Sequence, residues 1–227
     1  MSNLVKFKGL TRELIALRIA YEIPDGSYVN LGIGIPTLVS NWIAGRDIVL
    51  QSEIGMLNCG PIAEGSEIDQ DCINASCQPV TELPGACYFS DCESMIMLRG
   101  GFIDYAVLGA FQVAENGDYA GYNIPSSGRG NIGNIGGSMD LAVGAKNVFI
   151  AMEHTNNDGG LKILNTCSYP ITAKGVVKKI FTNLAIIDIT SEGLVLREFV
   201  KGLTPEDVQS VTKPKLIISS NCKEMDI

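Results

Sequence analysis

Residues 27–51 constrain the chain most. "SYVNLG" has the look of a short apolar strand, "GIGIPT" of a glycine turn, "LVSNWIAG" of a short helix closed by Gly45, and "DIVLQ" of a second strand. Pro36 and Thr37 suit the opening of that helix. Strand, helix and strand in so short a stretch make a βαβ unit, whose crossover forces the two strands to run parallel. Neither strand alternates cleanly between apolar and polar residues, as expected where both faces of a sheet are covered. The expected fold is α/β: an open, mainly parallel sheet flanked by helices, in a single domain over residues 1–227.

The remaining segments extend this pattern. Thr11 to Ile23 predicts a half-buried helix stopped by "PDG". "YAVLGAFQV" (105–113) predicts a strand closed by the "ENGD" turn, "MDLAVGAK" a short helix and "NVFIAM" a strand. "YPITAKGVVKKIFTN" reads as helical from its middle. "LAIIDIT" and "LVLREFV" around "SEG" predict a hairpin, "TPEDVQSVT" a capped helix, and "KLIIS" a last strand. Residues 58–95 read as irregular, a length of loop that compact domains keep for function. Residues 121–138, with six glycines, also read as loop.

Composition removes several classes of function. A net charge of −8 disfavours nucleic acid and anionic membrane surfaces, which are bound by basic patches. No apolar run is long enough to span a bilayer, and the amino-terminal stretch resembles no secretory signal, so the expected location is cytoplasmic. The seven cysteines are odd in number, irregularly spaced and without a Cys-x-x-Cys pair, and His154 is the only histidine. Neither a metal site nor a disulfide framework is expected, and the thiols are expected to be reduced and mostly buried.

Three features mark one edge of the sheet. "GIGIPT" (Gly32 and Gly34) follows a strand and opens a helix, which suits an anion or a plain tight turn. Glu53, in "LQSEIG", follows the second strand of the same unit. Ligands of open parallel sheets bind at the carboxyl ends of strands, so Glu53 is either a catalytic acid or a solvated loop residue. "GNIGNIGGSMD" ends at another helix start, where the amides of Gly136, Gly137 and Ser138 can line an oxyanion site or form a plain connector. His154 reads as structural more readily than as a general base.

Taken in order, "YVNLGIGIPTLVSNWI", "LQSEIG", "INA", "LPGA", "MLRGGFIDYAVLGAFQV", "NIGGSMDLAVGAK", "AMEHT" and "PITA" resemble the β subunit of family I CoA-transferases, of the acetate/butyrate–acetoacetate and 3-oxoacid types, over nearly the whole chain. The resemblance implies a ping-pong transferase of short-chain carboxylic or 3-oxo acids. Its glutamate nucleophile falls on Glu53, which would pass through a glutamyl-CoA thioester. It implies coenzyme A as a substrate, no permanently bound cofactor, and a separate CoA-transferase α subunit, in a heterodimer or doubled αβ assembly. A hydrolase or lyase using Glu53 as general base is the alternative on the same fold.

The chain departs from the family pattern at several positions. Ile54 stands where the family has asparagine, and Asn58 where it has glycine or alanine. "RGGF" replaces Arg-Gly-Gly-His, "GDYAGYN" replaces Gly-Asn-x-Ala-Asn-Trp, and Ser138 replaces alanine. Pro125 to Gly128 replace Pro-Gly-Lys-Met, with Arg129 following. Most of these departures are expected to cluster around the pocket and to alter the acyl substrate.

Overall fold

The computed structural model describes residues 7–125, 132–133 and 135–227. Helix α1 (Arg12–Glu22) is opened by the Thr11 side chain, which accepts from the Leu14 N–H. Strands β1 (Ser27–Leu31) and β2 (Ile48–Ser52) follow, joined by a 3-10 helix at Pro36–Trp42 rather than an α-helix. Next come β3 (Met56–Ile62), β4 (Val80–Tyr88), α2 (Asp91–Arg99), β5 (Tyr105–Leu108), β6 (Gln112–Ala114), β7 (Tyr119–Ala120), β8 (Asn123–Ile124) and β9 (Ile132–Gly133). The chain continues with α3 (Ser138–Gly144), β10 (Asn147–Met152), β11 (Ile163–Leu164), β12 (Val177–Thr182), β13 (Ala185–Thr190), β14 (Gly193–Phe199), α4 (Pro205–Ser210) and β15 (Leu216–Glu224).

Ten strands form one mixed sheet in the order β15-β14-β13-β12-β10-β5-β1-β2-β3-β4. Its centre, β12-β10-β5-β1-β2, is parallel throughout. The predicted pairing of β1 with β2 is present, with Ser27 opposite Ile48 and Asn30 opposite Gln51. A three-stranded sheet, β11-β6-β7, packs beside the main one.

The apolar strands are explained by two cores, one on each face. Along β10, Phe149 and Ala151 join a cluster with Ile15, Ile19, Val29 and Phe181, beneath α1. Val148, Ile150 and Met152 join the other cluster, with Leu98, Leu141, Val113 and Tyr119. Side chains alternate between faces along a strand, so a strand buried on both faces has to be apolar at every position.

Four expectations need correction. Residues 177–182 are a strand, not a helix. Val176, Val177, Ile180 and Phe181 mimic helical spacing, but Ile180 and Phe181 are needed on opposite faces of the sheet, and that burial overrides the local pattern. Residues 58–95 are not mainly irregular: they hold most of β3, all of β4 and the start of α2. Strand β4 is an edge strand, largely exposed, which is why it tolerates Pro84 and carries no apolar alternation. The stretch 105–113 is split between two sheets, because β5 lies in the main sheet and β6 in the small one. Among the cysteines, all free, only Cys59 and Cys72 are buried, whereas Cys77, Cys87 and Cys92 are exposed. The altered residues at 126–129 lie outside the described residues.

Candidate active site

The residue that follows each of four parallel strands lines one cleft: Gly32 after β1, Glu53 after β2, Gly109 after β5 and Glu153 after β10. This is the carboxyl edge of the sheet, where the strands end and only loops cover the backbone. The cavity measures ≈ 440 Å³. Gly34, Gly136, Gly137 and Ser138 also line it, so the two glycine segments and Glu53 meet in space.

Glu53 sits at the start of a three-residue turn between β2 and the antiparallel β3, where Ser52 pairs with Met56. The Gly55 N–H donates to the Ser52 carbonyl at 3.0 Å. Gly55 has φ +121°, and a Cβ there would overlap the Phe89 carbonyl oxygen. Glycine is therefore required both by conformation and by space. The Glu53 carboxylate is half-buried and accepts from Asn30 Nδ2 at 3.1 Å. The same Asn30 nitrogen donates to the Gln51 carbonyl and to Gln51 Oε1, while Gln51 Nε2 donates to Ser94 Oγ at 2.7 Å. Asn30 and Gln51 are buried, so this chain of amides anchors the glutamate to the strands beneath it.

Gly137 closes over the same side chain: a Cβ built on it would lie 3.2 Å from Glu53 Cγ. The oxyanion expectation narrows here. The Ser138 N–H donates to the Ile135 carbonyl, and the Gly32 N–H to the Val107 carbonyl. Neither amide is free for a ligand, because each closes a turn or extends the sheet. Among the described residues, the N–H groups of Gly34 and Gly137 donate to no protein acceptor.

The described altered positions divide between the cleft and its surroundings. Ile54 is 52% exposed at the tip of the turn, and Phe102 66% exposed. Neither lines the cleft, and nor does Asn58. Asn58 has φ +60° and donates from Nδ2 to the Pro84 carbonyl. Asparagine tolerates this left-handed conformation better than most side chains, so position 58 is a backbone requirement. Gly121 and Ser138 do line the cleft. The space that a side chain at 121 would fill is occupied by the Tyr119 phenol. Burial pushes Tyr119 up to about 12, so it stays a neutral hydroxyl at the cleft wall.

His154 is fully buried, away from any reacting role. Its ring nitrogens lie 2.9 Å from Thr182 Oγ1 and 2.9 Å from Thr212 Oγ1. Burial, with a smaller contribution from Lys162, lowers its pKa to about 3. Sequence reasoning misses Asn30, Tyr119, Glu153 and Lys162. The signal for Asn30 is a polar residue inside the apolar run "YVNLG". For Glu153 it is a position just past a parallel strand.

These features define an α/β protein with an open cleft at the carboxyl edge of a parallel sheet, and with a half-buried carboxylate set against a glycine turn. The match to the coenzyme A transferase family spans residues 12–210, and the chain belongs to that family. It is 45% identical over 214 residues to the β subunit of 3-oxoadipate CoA-transferase from Acinetobacter baylyi, covering 94% of this chain and 98% of that one. It is 43% identical over 202 residues to the β subunit of succinyl-CoA:3-ketoacid coenzyme A transferase from Helicobacter pylori, covering 89% and 96% respectively. The fold matches an acyl-CoA transferase from Escherichia coli O157:H7 with a TM-score of 0.75 at 21% identity. That alignment covers 98% of this chain but only 44% of the larger one.

Proposed function

We propose that this chain is the glutamate-bearing subunit of a transferase that moves coenzyme A between an acyl-CoA and a short-chain carboxylic or 3-oxo acid. The observation that carries the reading is the Glu53 carboxylate, half-buried in the cleft, tied to Asn30 and packed under Gly137. A Glu53 oxygen attacks the thioester carbonyl, and the C–S bond breaks to give an acyl-glutamyl anhydride and CoA thiolate. The thiolate then attacks the glutamyl carbonyl, which releases the first acid as carboxylate and leaves a glutamyl-CoA thioester. A second carboxylate repeats these steps in reverse. A carboxylate is a weak nucleophile, so positioning supplies much of the rate. The N–H groups of Gly137 and of Gly34 across the cleft, which meet no acceptor among the described residues, are the donors suited to the tetrahedral oxyanion. Each such donor is worth roughly 3 kcal/mol.

An α subunit completes the site in this reading. Ile33, Ile54, Ile135 and Met139, near the cleft or on the Glu53 turn, expose 69%, 52%, 41% and 45% of their surface. An apolar rim of this kind suits a protein partner. Such a partner also supplies the cations for CoA's phosphates that an acidic chain lacks. No helix among the described residues is long and apolar enough to cross a membrane, in keeping with a cytoplasmic enzyme. Incubating the assembled complex with acyl-CoA and no acceptor, then adding hydroxylamine or borohydride, is expected to modify Glu53. An unmodified Glu53 with steady CoA release would instead identify a hydrolase using Glu53 as general base. A Glu53→Gln complex that still transfers CoA refutes both.

A further inference from the structure

Lys162 lines the Glu53 cleft and also an adjoining hollow of ≈ 360 Å³ bounded by Phe111, Asn156, Asn157, Asp158 and Tyr169. It is only 9% exposed. Among the described residues its ammonium makes no hydrogen bond and no ion pair. Long cationic side chains are rarely buried without a partner, because desolvating the charge is costly. The cleft has one other cation among the described residues, Arg12, which is exposed at the first turn of α1. Burial lowers Lys162 to about 8, which leaves it mainly protonated at neutral pH; Glu153 is close enough to favour the charged amine but too far to pair with it.

Its position relative to Glu53 is set by the sheet. Glu53 follows β2 and Glu153 follows β10, three strands away through β1 and β5. Adjacent strands lie ~4.8 Å apart, so the two backbones are separated by ~14 Å. Lys162 stands on the Glu153 side, and the glutamate and lysine side chains shorten the gap between them. Both residues line the same cleft, so one ligand bound there can meet both charges.

We propose that Lys162 binds the far carboxylate of a dicarboxylic acyl group whose reacting carbonyl lies at Glu53, and so sets the preference for dicarboxylic over monocarboxylic acids. The inference rests on the transferase reading of the cleft. An ammonium unpaired among the described residues carries a desolvation cost that a carboxylate beside it offsets, and the Asn156 and Asn157 side chains in the adjoining hollow offer further donors.

The test compares succinate with butyrate as CoA acceptor, in the complete native complex and in the Lys162→Met complex. Truncating one side of a buried charge pair is expected to lower kcat/KM for succinate by about 30-fold or more while that for butyrate changes by less than about 3-fold. Lys162→Arg is expected to recover part of the succinate rate, and Lys162→Met to keep or raise the thermal midpoint, since it removes a buried charge. Equal losses for both acids, no loss for either, or a parallel loss of free CoA binding overturns the proposal. The last of these would place the lysine on a phosphate. If the native complex transfers CoA to neither acid, the transferase reading fails. Equilibrium binding of succinate and butyrate to the two complexes then decides the role of Lys162 separately.

Discussion

Gly137→Ala tests the site with the least disturbance elsewhere. Gly137 has φ −83° and ψ 1°, a conformation that alanine adopts without strain. The new methyl would lie 3.2 Å from Glu53 Cγ, 3.6 Å from Met95 Cε and 3.8 Å from Glu53 Cβ. Ordinary contact needs several tenths of an ångström more from the glutamate, whose carboxylate is held by the Asn30 amide. Alanine in place of glycine gains about 0.4–1 kcal/mol through the unfolded chain. Loss of the helix N-cap preference of glycine at α3 costs a similar amount. The net effect on stability is therefore expected to be within about 1 kcal/mol. A displacement of about 1 Å in a reacting group costs about 100-fold, so this smaller shift is expected to lower kcat by roughly 10-fold with little change in KM for acyl-CoA. Steady-state transfer rates and a thermal melt measure both quantities. Gly34→Ala is the contrasting control: it meets open space but carries φ +92°, so it is expected to lose about 1 kcal/mol of stability with no clash at Glu53. Full activity in Gly137→Ala, or loss equal to that of Gly34→Ala and explained by unfolding, would refute the reasoning that Gly137 sets the position of the glutamate.

Other consequences follow from the same geometry. Gly55→Ala combines a left-handed backbone position with overlap on the Phe89 carbonyl; chemical denaturation is expected to show a loss of about 2 kcal/mol or more, with transfer activity falling as the Glu53 turn shifts. Asn30→Ala removes the donor to Glu53, to the Gln51 carbonyl and to the buried Gln51 side-chain oxygen; about 1–3 kcal/mol of stability should go with them, and intact stability with full activity would dismiss the amide chain as an anchor. His154 is held neutral at a pKa of about 3, against an ordinary 6.5. Between these values the unfolded chain binds more protons than the folded one, so stability is fully present above pH 6.5 and declines as the pH falls towards 3. The loss is on the order of a few kcal/mol. Urea titrations across that range check it, and His154→Gln should flatten the slope.

Much of the scaffold is legible in the chain alone. The parallel pairing of β1 and β2, the hairpin of β13 and β14, and the strand "NVFIAM" all rest on local patterns that the sheet reinforces. β12 reads as a helix because Val176, Val177, Ile180 and Phe181 fall at helical spacing around Lys178 and Lys179. β4 escapes notice because an exposed edge carries no apolar signal. At the site, Glu53 and the glycine segments stand out because each follows a strand or opens a helix. Asn30 and Lys162 do not, since an asparagine within a strand and a lysine in a loop carry no motif.

The sequence by itself determined that β1 and β2 run parallel, and therefore at which edge their loops emerge. That rule is local: a short crossover admits one strand direction, and the strand's end points its loop at the ligand side. Only the tertiary structure decided which amides remain free there. Ser138 and Gly32 spend theirs on turn and sheet, whereas those of Gly137 and Gly34 meet no acceptor among the described residues. It also decided that a lysine more than a hundred residues from Glu53 shares its cleft. The order of strands across the sheet sets such distances, and it depends on how two cores close on either face rather than on any neighbouring residues.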